Sequence, residues 1–146
     1  MKKMISLVAL CIFVFLVFAG CSAGAQPITG AERDAVLAYA EPKTENLLNG
    51  FNAGDYAMFA RDFDAAMRQA ETETVFTQTR AAIQNKIGNY ISRQVTNVVK
   101  QDKFIVVIYN GRFENEDGVT MRVVFTPDDA HQITGLWFNS PKLREK

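Results

Sequence analysis

Cysteine is nearly missing from this chain. There are two, Cys11 and Cys21, both within the first 21 of 146 residues. The remainder therefore holds no disulfide and no thiolate for metal binding or nucleophilic catalysis. Histidine is scarcer still. His131 stands alone in a turn after Asp128 and Asp129, where a solvated side chain is expected. With no Cys/His cluster there is no transition-metal site to read. An excess of one charge is also lacking: 16 basic residues face 16 acidic ones. Removing a leader through Gly20 takes away Lys2 and Lys3 and no acid, leaving 14 against 16. Such a balance gives no electrostatic reason to expect nucleic acid as a partner. No glycine-rich loop between a strand and a helix points to a nucleotide. The acidic turn at 114–118 lacks calcium-loop spacing, and no serine has a recognisable base partner. No cofactor and no metal are expected.

Long apolar runs are absent except at the start, where Met4 to Phe18 follows Met1-Lys2-Lys3. A short positive segment followed by such a run reads as a secretory signal and is set apart from the fold. Phe18-Ala19-Gly20-Cys21 resembles the lipobox of prokaryotic lipoproteins, with small residues before the cysteine and Phe18 in place of the usual Leu. The resemblance implies that Cys21 is lipidated and becomes the new N-terminus. The protein would then be an extracytoplasmic lipoprotein held at the cell membrane. Two other readings stay open: cleavage by an ordinary signal peptidase after Gly20, Ala23 or Ala25, or retention of a rather short membrane anchor. The division is a signal peptide over 1–20, a lipidated Cys21 with a short tether over 21–30, and one domain over 31–146. That length suits a single core.

The domain reads as helices first. Thr29-Gly-Ala-Glu32 has capping-box form. Val36, Ala40, Leu47, Leu48 and Phe51 recur at three- and four-residue steps and mark one apolar face. Pro42 predicts a kink or a fresh start near Glu41. Gly54 ends the helix, Asp55 caps a short second one, and Asp64 to Met67 adds a turn. A further helix carries Phe76, Ile83 and Ile87 and stops at Gly88. From Tyr90 onward β-branched and aromatic residues dominate. The segments 90–100, 104–113, 119–126 and 133–138 read as four strands, with turns at 101–103, at 114–118 with its Asp-Gly signal, and at 127–129. The third carries Val119, Met121, Val123 and Phe125 on one face. The predicted fold class is α+β: N-terminal helices packed on a curved four-stranded antiparallel meander.

This order of a long kinked helix, a short capped helix, a third helix and a meander resembles the nuclear transport factor 2-like superfamily, whose α+β cone encloses a pocket. Asn46-Leu-Leu-Asn-Gly-Phe-Asn-Ala-Gly-Asp-Tyr56, Phe59-Ala-Arg-Asp-Phe-Asp64 and Gly135-Leu-Trp-Phe-Asn-Ser-Pro141 are similar to the uncharacterised domain of unknown function 3887, over about residues 36 to 141. That resemblance implies a fold and a secreted or lipid-anchored setting, and brings no catalytic motif. Within a cone, Tyr39, Tyr56, Phe59, Phe63, Tyr90, Tyr109 and Trp137 are the expected pocket lining. Asp62, Asp64, Arg112 and Arg122 are the candidate polar contacts.

Asp62 and Asp64 flank Phe63, so an extended or helical backbone sends the two carboxylates apart. A cap and an ion pair with Arg61 or Arg68 are the plain expectation for them. Arg112 and Arg122 lie on neighbouring strands and suit pairs with Glu114 or Thr120, or a carboxylate ligand. The expected function is a non-enzymatic, membrane-anchored module that binds a small, partly apolar ligand or an envelope protein partner. The alternative is an isomerase, dehydratase or hydrolase using a carboxylate in the cone. A homodimer through the sheet face is the third option, prompted by the doubly apolar start of the 104–113 strand. Replacing Cys21 with Ser is expected to abolish incorporation of a fatty-acid probe; labelling that persists in the variant refutes lipidation at this cysteine.

Overall fold

The computed structural model describes residues 24–145; the leader and Cys21 lie outside them. The elements run β1 (Gln26–Pro27), α1 (Gly30–Ala53), α2 (Tyr56–Phe59), α3 (Ala65–Ala70), α4 (Glu73–Ile87), β2 (Tyr90–Gln101), β3 (Phe104–Phe113), β4 (Glu116–Phe125), β5 (Ile133–Asn139) and α5 (Pro141–Arg144). The fold is α+β, with helices ahead of an antiparallel sheet ordered β1-β2-β3-β4-β5. The sheet has five strands, not the four expected. The extra one comes from the segment expected as a free tether: Gln26 pairs with Lys100 and Pro27 with Val99. Ile28 then donates its N–H to the Val98 carbonyl at 2.8 Å and is buried. Burial of that one isoleucine, invisible to periodicity in so short a segment, explains why the chain leaves its tether state early.

The apolar face of α1 forms as its spacing predicts, with Val36, Ala40, Leu47, Leu48 and Phe51 all buried. Pro42 does not restart the helix, which is continuous across it. Buried residues on both sides of the proline hold the two halves on one core and outweigh the lost donor. Thr29 stands at the N-cap but its side chain makes no capping bond. Gly54 closes the helix at φ 70, a left-handed conformation that glycine adopts without a Cβ clash. Asp55 accepts from Met58 N–H at 3.0 Å and Asp64 from Met67 N–H at 2.7 Å, each starting a short helix.

The β3–β4 hairpin turns earlier than its Asp-Gly pair suggests. Phe113 pairs with Glu116, so Glu114 and Asn115 make the turn. Gly118, at φ 77, sits beside the register shift near Gly111 as a bulge in the strand. On β2 the inward residues Tyr90, Arg93, Val95 and Val98 are spaced three, two and three, and each step of three spans a register shift. These bulges produce the irregular alternation of this segment. The core lies between the helices and the face carrying Val107, Tyr109, Phe113, Val119, Met121, Val123 and Phe125.

Close packing of α1 on α2 depends on Gly50. A Cβ there would lie 2.8 Å from Phe59 Cα and 3.0 Å from the Asp55 carbonyl oxygen, both backbone atoms that cannot swing aside. Gly50→Ala is expected to destabilise the domain by about 2–3 kcal/mol, measured by urea unfolding.

Candidate functional site

Two surfaces of the sheet meet two environments. On the inner face, Arg93 reaches from β2 to α1. Its side chain is 7% exposed, and it pairs with Glu41 at 3.2 Å and with Glu45. It also donates to the Tyr90 hydroxyl at 2.9 Å and to the Glu41 carbonyl at 3.1 Å, and lies 5.3 Å from the centre of the Tyr109 ring. Burial works against the charged guanidinium, but the hydrogen bonds it donates to Glu45 and Tyr90 and the charge of Glu41 outweigh it and hold Arg93 above its ordinary pKa. Tyr109 shares a buried hydrogen bond with Thr44 at 3.2 Å. Burial pushes the Tyr109 phenol well above its ordinary range, and burial also raises Tyr39 and Tyr90.

These aromatic side chains fill the interior. Tyr109, Phe63, Phe59 and Tyr90 are buried in the core. Phe59 packs on Phe63 and Phe76 at 5.1 and 4.5 Å between ring centres. Tyr56 donates its hydroxyl to the Glu71 carbonyl at 2.8 Å. Tyr39 stacks on His131 at 3.8 Å with the rings 8° from parallel. His131 is thus half-buried against a ring, not free in solvent as a turn histidine was expected to be. Its backbone has φ 44, a strained left-handed conformation that Lys43 buttresses by donating to the carbonyls of Ala130 and His131. The inner one of two pockets between α4 and β5, lined by Phe51, Phe59, Met67, Phe76, Ile83 and Phe138 among others, has a volume of about 60 Å³; the other, about 360 Å³, opens at the edge beside Lys86, Trp137 and Leu143. The former holds a water or two and falls far below the roughly 300 Å³ at which small-molecule sites begin.

The acidic corner has a structural use that sequence reading missed. Ile133 donates to the Asp62 carbonyl at 2.7 Å, and Asp64 N–H donates to the Ile133 carbonyl at 3.0 Å. Asp62-Phe63-Asp64 thereby pairs in parallel with the start of β5. The Asp64 carboxylate caps α3, and Asp62 lies 3.6 Å from Arg61. Arg68 turns instead to the carbonyls of Phe63 and Arg61. Arg112 pairs with Asp117 at 3.3 Å, not with Glu114 or Thr120. Among the described residues, no group of three His, Cys, Asp or Glu is placed to hold a metal ion.

On the outer face, Trp137 and Arg122 come together as cross-strand partners. Phe138 points inward to Phe51 and Phe113, and Trp137 points outward with 56% of its surface exposed. The benzo end of the indole lies over Gly135, within 2.6 Å of where a Cβ would stand, so only glycine leaves room for this pose. A hollow of about 530 Å³ opens beside it, with Phe104, Val106, Val124 and Trp137 as apolar surface and Gln101, Asp102, Arg122 and Asn139 as polar surface. Arg122 donates to the Gln101 side chain at 3.1 Å, while its Nε is buried with no partner. Phe104, Val106, Val124 and Gly135 are not expected from the sequence reading above. The doubly apolar start of β3 signals Phe104 and Val106, since it marks an outer apolar surface as well as a core; Val124 and Gly135 join them only through strand pairing.

Arg93→Ala is expected to cost about 2–3 kcal/mol, less than a fully buried pair because Glu41 and Glu45 regain water, and Arg93→Met is expected to recover part of that loss. Ionised phenols are disfavoured in the fold, so stability holds below the usual phenol pKa of about 10 and falls as pH rises through and above it. Tyr109→Phe should flatten that alkaline decline in denaturant titrations taken at successive pH values.

Residues 44–136 match the family model described as Protein of unknown function (DUF3887). Comparison with curated proteins and with solved structures finds no match. A match over most of the domain, covering α1 from Thr44 through β5 to Leu136, makes the chain a member of the DUF3887 family.

Proposed function

We propose that this protein is an extracytoplasmic lipoprotein, anchored through Cys21, that binds a small amphipathic ligand on the outer face of a nuclear transport factor 2-like sheet. The hollow beside Trp137 carries this reading. A large aromatic ring left more than half exposed yet fixed over Gly135 is an unusual investment for a side chain with no core to fill. At about 530 Å³ the hollow lies within the size range of small-ligand sites. Its apolar surface suits the body of such a ligand. Arg122, which lines the hollow, suits an anionic or hydrogen-bond-accepting end.

The order of helices and meander supports the cone-like assignment, and the filled interior directs binding to the outside of the cone. A catalytic reading has less support, because Asp62 and Asp64 are engaged in an ion pair and a helix cap. Among the described residues no helix is long and apolar enough to cross a membrane. A membrane setting therefore rests on the lipobox-like Phe18-Ala19-Gly20-Cys21.

Protein purified from its own host should carry a bound small molecule in native mass spectrometry. Trp137→Ala is expected to lower its occupancy by about tenfold, equivalent to about 1.4 kcal/mol. Folding stability should move by less than about 0.5 kcal/mol, as for an exposed residue. A bare mass, or retention unchanged in the variant, refutes the proposal.

A further inference from the structure

The segment joining Cys21 to the sheet is very short. Four residues, Ser22 to Ala25, separate it from Gln26. Even fully extended, the two ends lie no more than about 18 Å apart. Gln26 is pinned opposite Lys100, so the chain enters the sheet beside the β2–β3 turn. The β3–β4 turn lies at the other end of the ten-residue β3, about 33 Å away at strand rise. A tether of that reach cannot bring the far end to the point of attachment.

We propose that the domain stands with its β2–β3 turn against the bilayer, so that the outer-face hollow opens onto the lipid surface and takes an acyl-bearing amphiphile of that membrane. This rests on the anchored-module reading above and adds the source of the ligand and the face presented to it. The hollow begins at the same turn, since Gln101, Asp102 and Phe104 line it. Lys100 and Lys103 are exposed there around Asp102, and the Lys103 ammonium lies 5.3 Å from the centre of the Phe104 ring. Trp137 leans over Gly135, which pairs with Val124 and through it with Val106, the register row on the turn side of Arg122 and Ile108. A lysine laid over an aromatic ring and a tilted indole are side chains with an apolar body and a polar tip, the kind that settles at a boundary between water and lipid.

The only tryptophan in the sequence is the natural reporter. The lipidated full chain, made in a host that processes lipoproteins, would be placed in vesicles of phosphatidylethanolamine and phosphatidylglycerol with brominated acyl chains. Trp137 emission is expected to fall at least about twofold relative to unbrominated vesicles, as for an indole at the interface. Two single-tryptophan variants move the reporter between exposed turns: Trp137→Phe with Lys103→Trp, and Trp137→Phe with Asp117→Trp. Strong quenching at 103 and none at 117 supports the orientation. Equal or reversed quenching, or no quenching at Trp137 in protein whose mass shows the lipid on Cys21, overturns the orientation and leaves the anchored module standing. An unmodified Cys21 overturns both.

Discussion

A helix end exposes carbonyl groups that the helix itself cannot satisfy, and the way this chain answers that demand at the end of α1 ties the domain together. Arg80, on α4, donates to the carbonyls of Phe51 and Asn52 at 2.6 and 2.8 Å. A cation at a helix C-terminus also meets the negative end of the helix dipole. Asn52 in turn receives the Tyr90 N–H at 2.9 Å and donates to the Tyr90 carbonyl at 2.8 Å, acting as a one-residue strand partner at the start of β2. Ten and twelve residues further on, Asp62 and Asp64 do the same for Ile133 with their backbones. One corner thus sets where α4 lies, where β2 begins and where β5 begins. Gly50 and Gly54 are the places where that corner tolerates no ordinary side chain.

The inner face adds a second tie of a different kind. Arg93 joins β2 to the middle of α1 at Glu41, the residue before Pro42. Two carboxylates, a phenol and a carbonyl surround it, so the charge is compensated where water is scarce. The pair costs desolvation and gives direction: an apolar replacement could fill the space, but it would not dictate which turn of α1 rests above Tyr109. The interior is committed to such packing, and Trp137 stands on the opposite side of the sheet.

Much of this fold was legible in the residues. The helix caps at Asp55, Asp64 and Gly54, the apolar stripe of α1, and the inward row Val119 to Phe125 follow from local rules of capping and periodicity, and local rules survive into the folded state. What escaped was non-local. Gln26–Pro27 becomes a strand only because Lys100 and Val99 present an open edge. Arg93 turns inward only because a bulge follows Tyr90, and the irregular alternation that the bulge leaves in the sequence does not say where it falls. His131 looked like a turn residue because the ring of Tyr39, 92 positions earlier, is absent from any local window. The site was half legible: Trp137 and Arg122 stand out by residue type, whereas the hollow exists only once Phe104 and Val106 are carried alongside them by strand pairing. Gly135 gives its reason for being glycine only when the indole is seen lying across it.

Sheets also have borders, and this one covers part of each with a piece of chain that belongs to neither central hairpin. On one side Gln26–Pro27 covers the end of β2, and Pro27 offers no N–H to a further strand. On the other, Asp62-Phe63-Asp64 occupies the start of β5, while α5 follows its end. Proteins held on a surface or concentrated in solution meet one another far more often than dilute ones, and an unpaired border is where such encounters become irreversible. A proline on one margin and a borrowed acidic segment on the other shorten the border this domain offers to its neighbours.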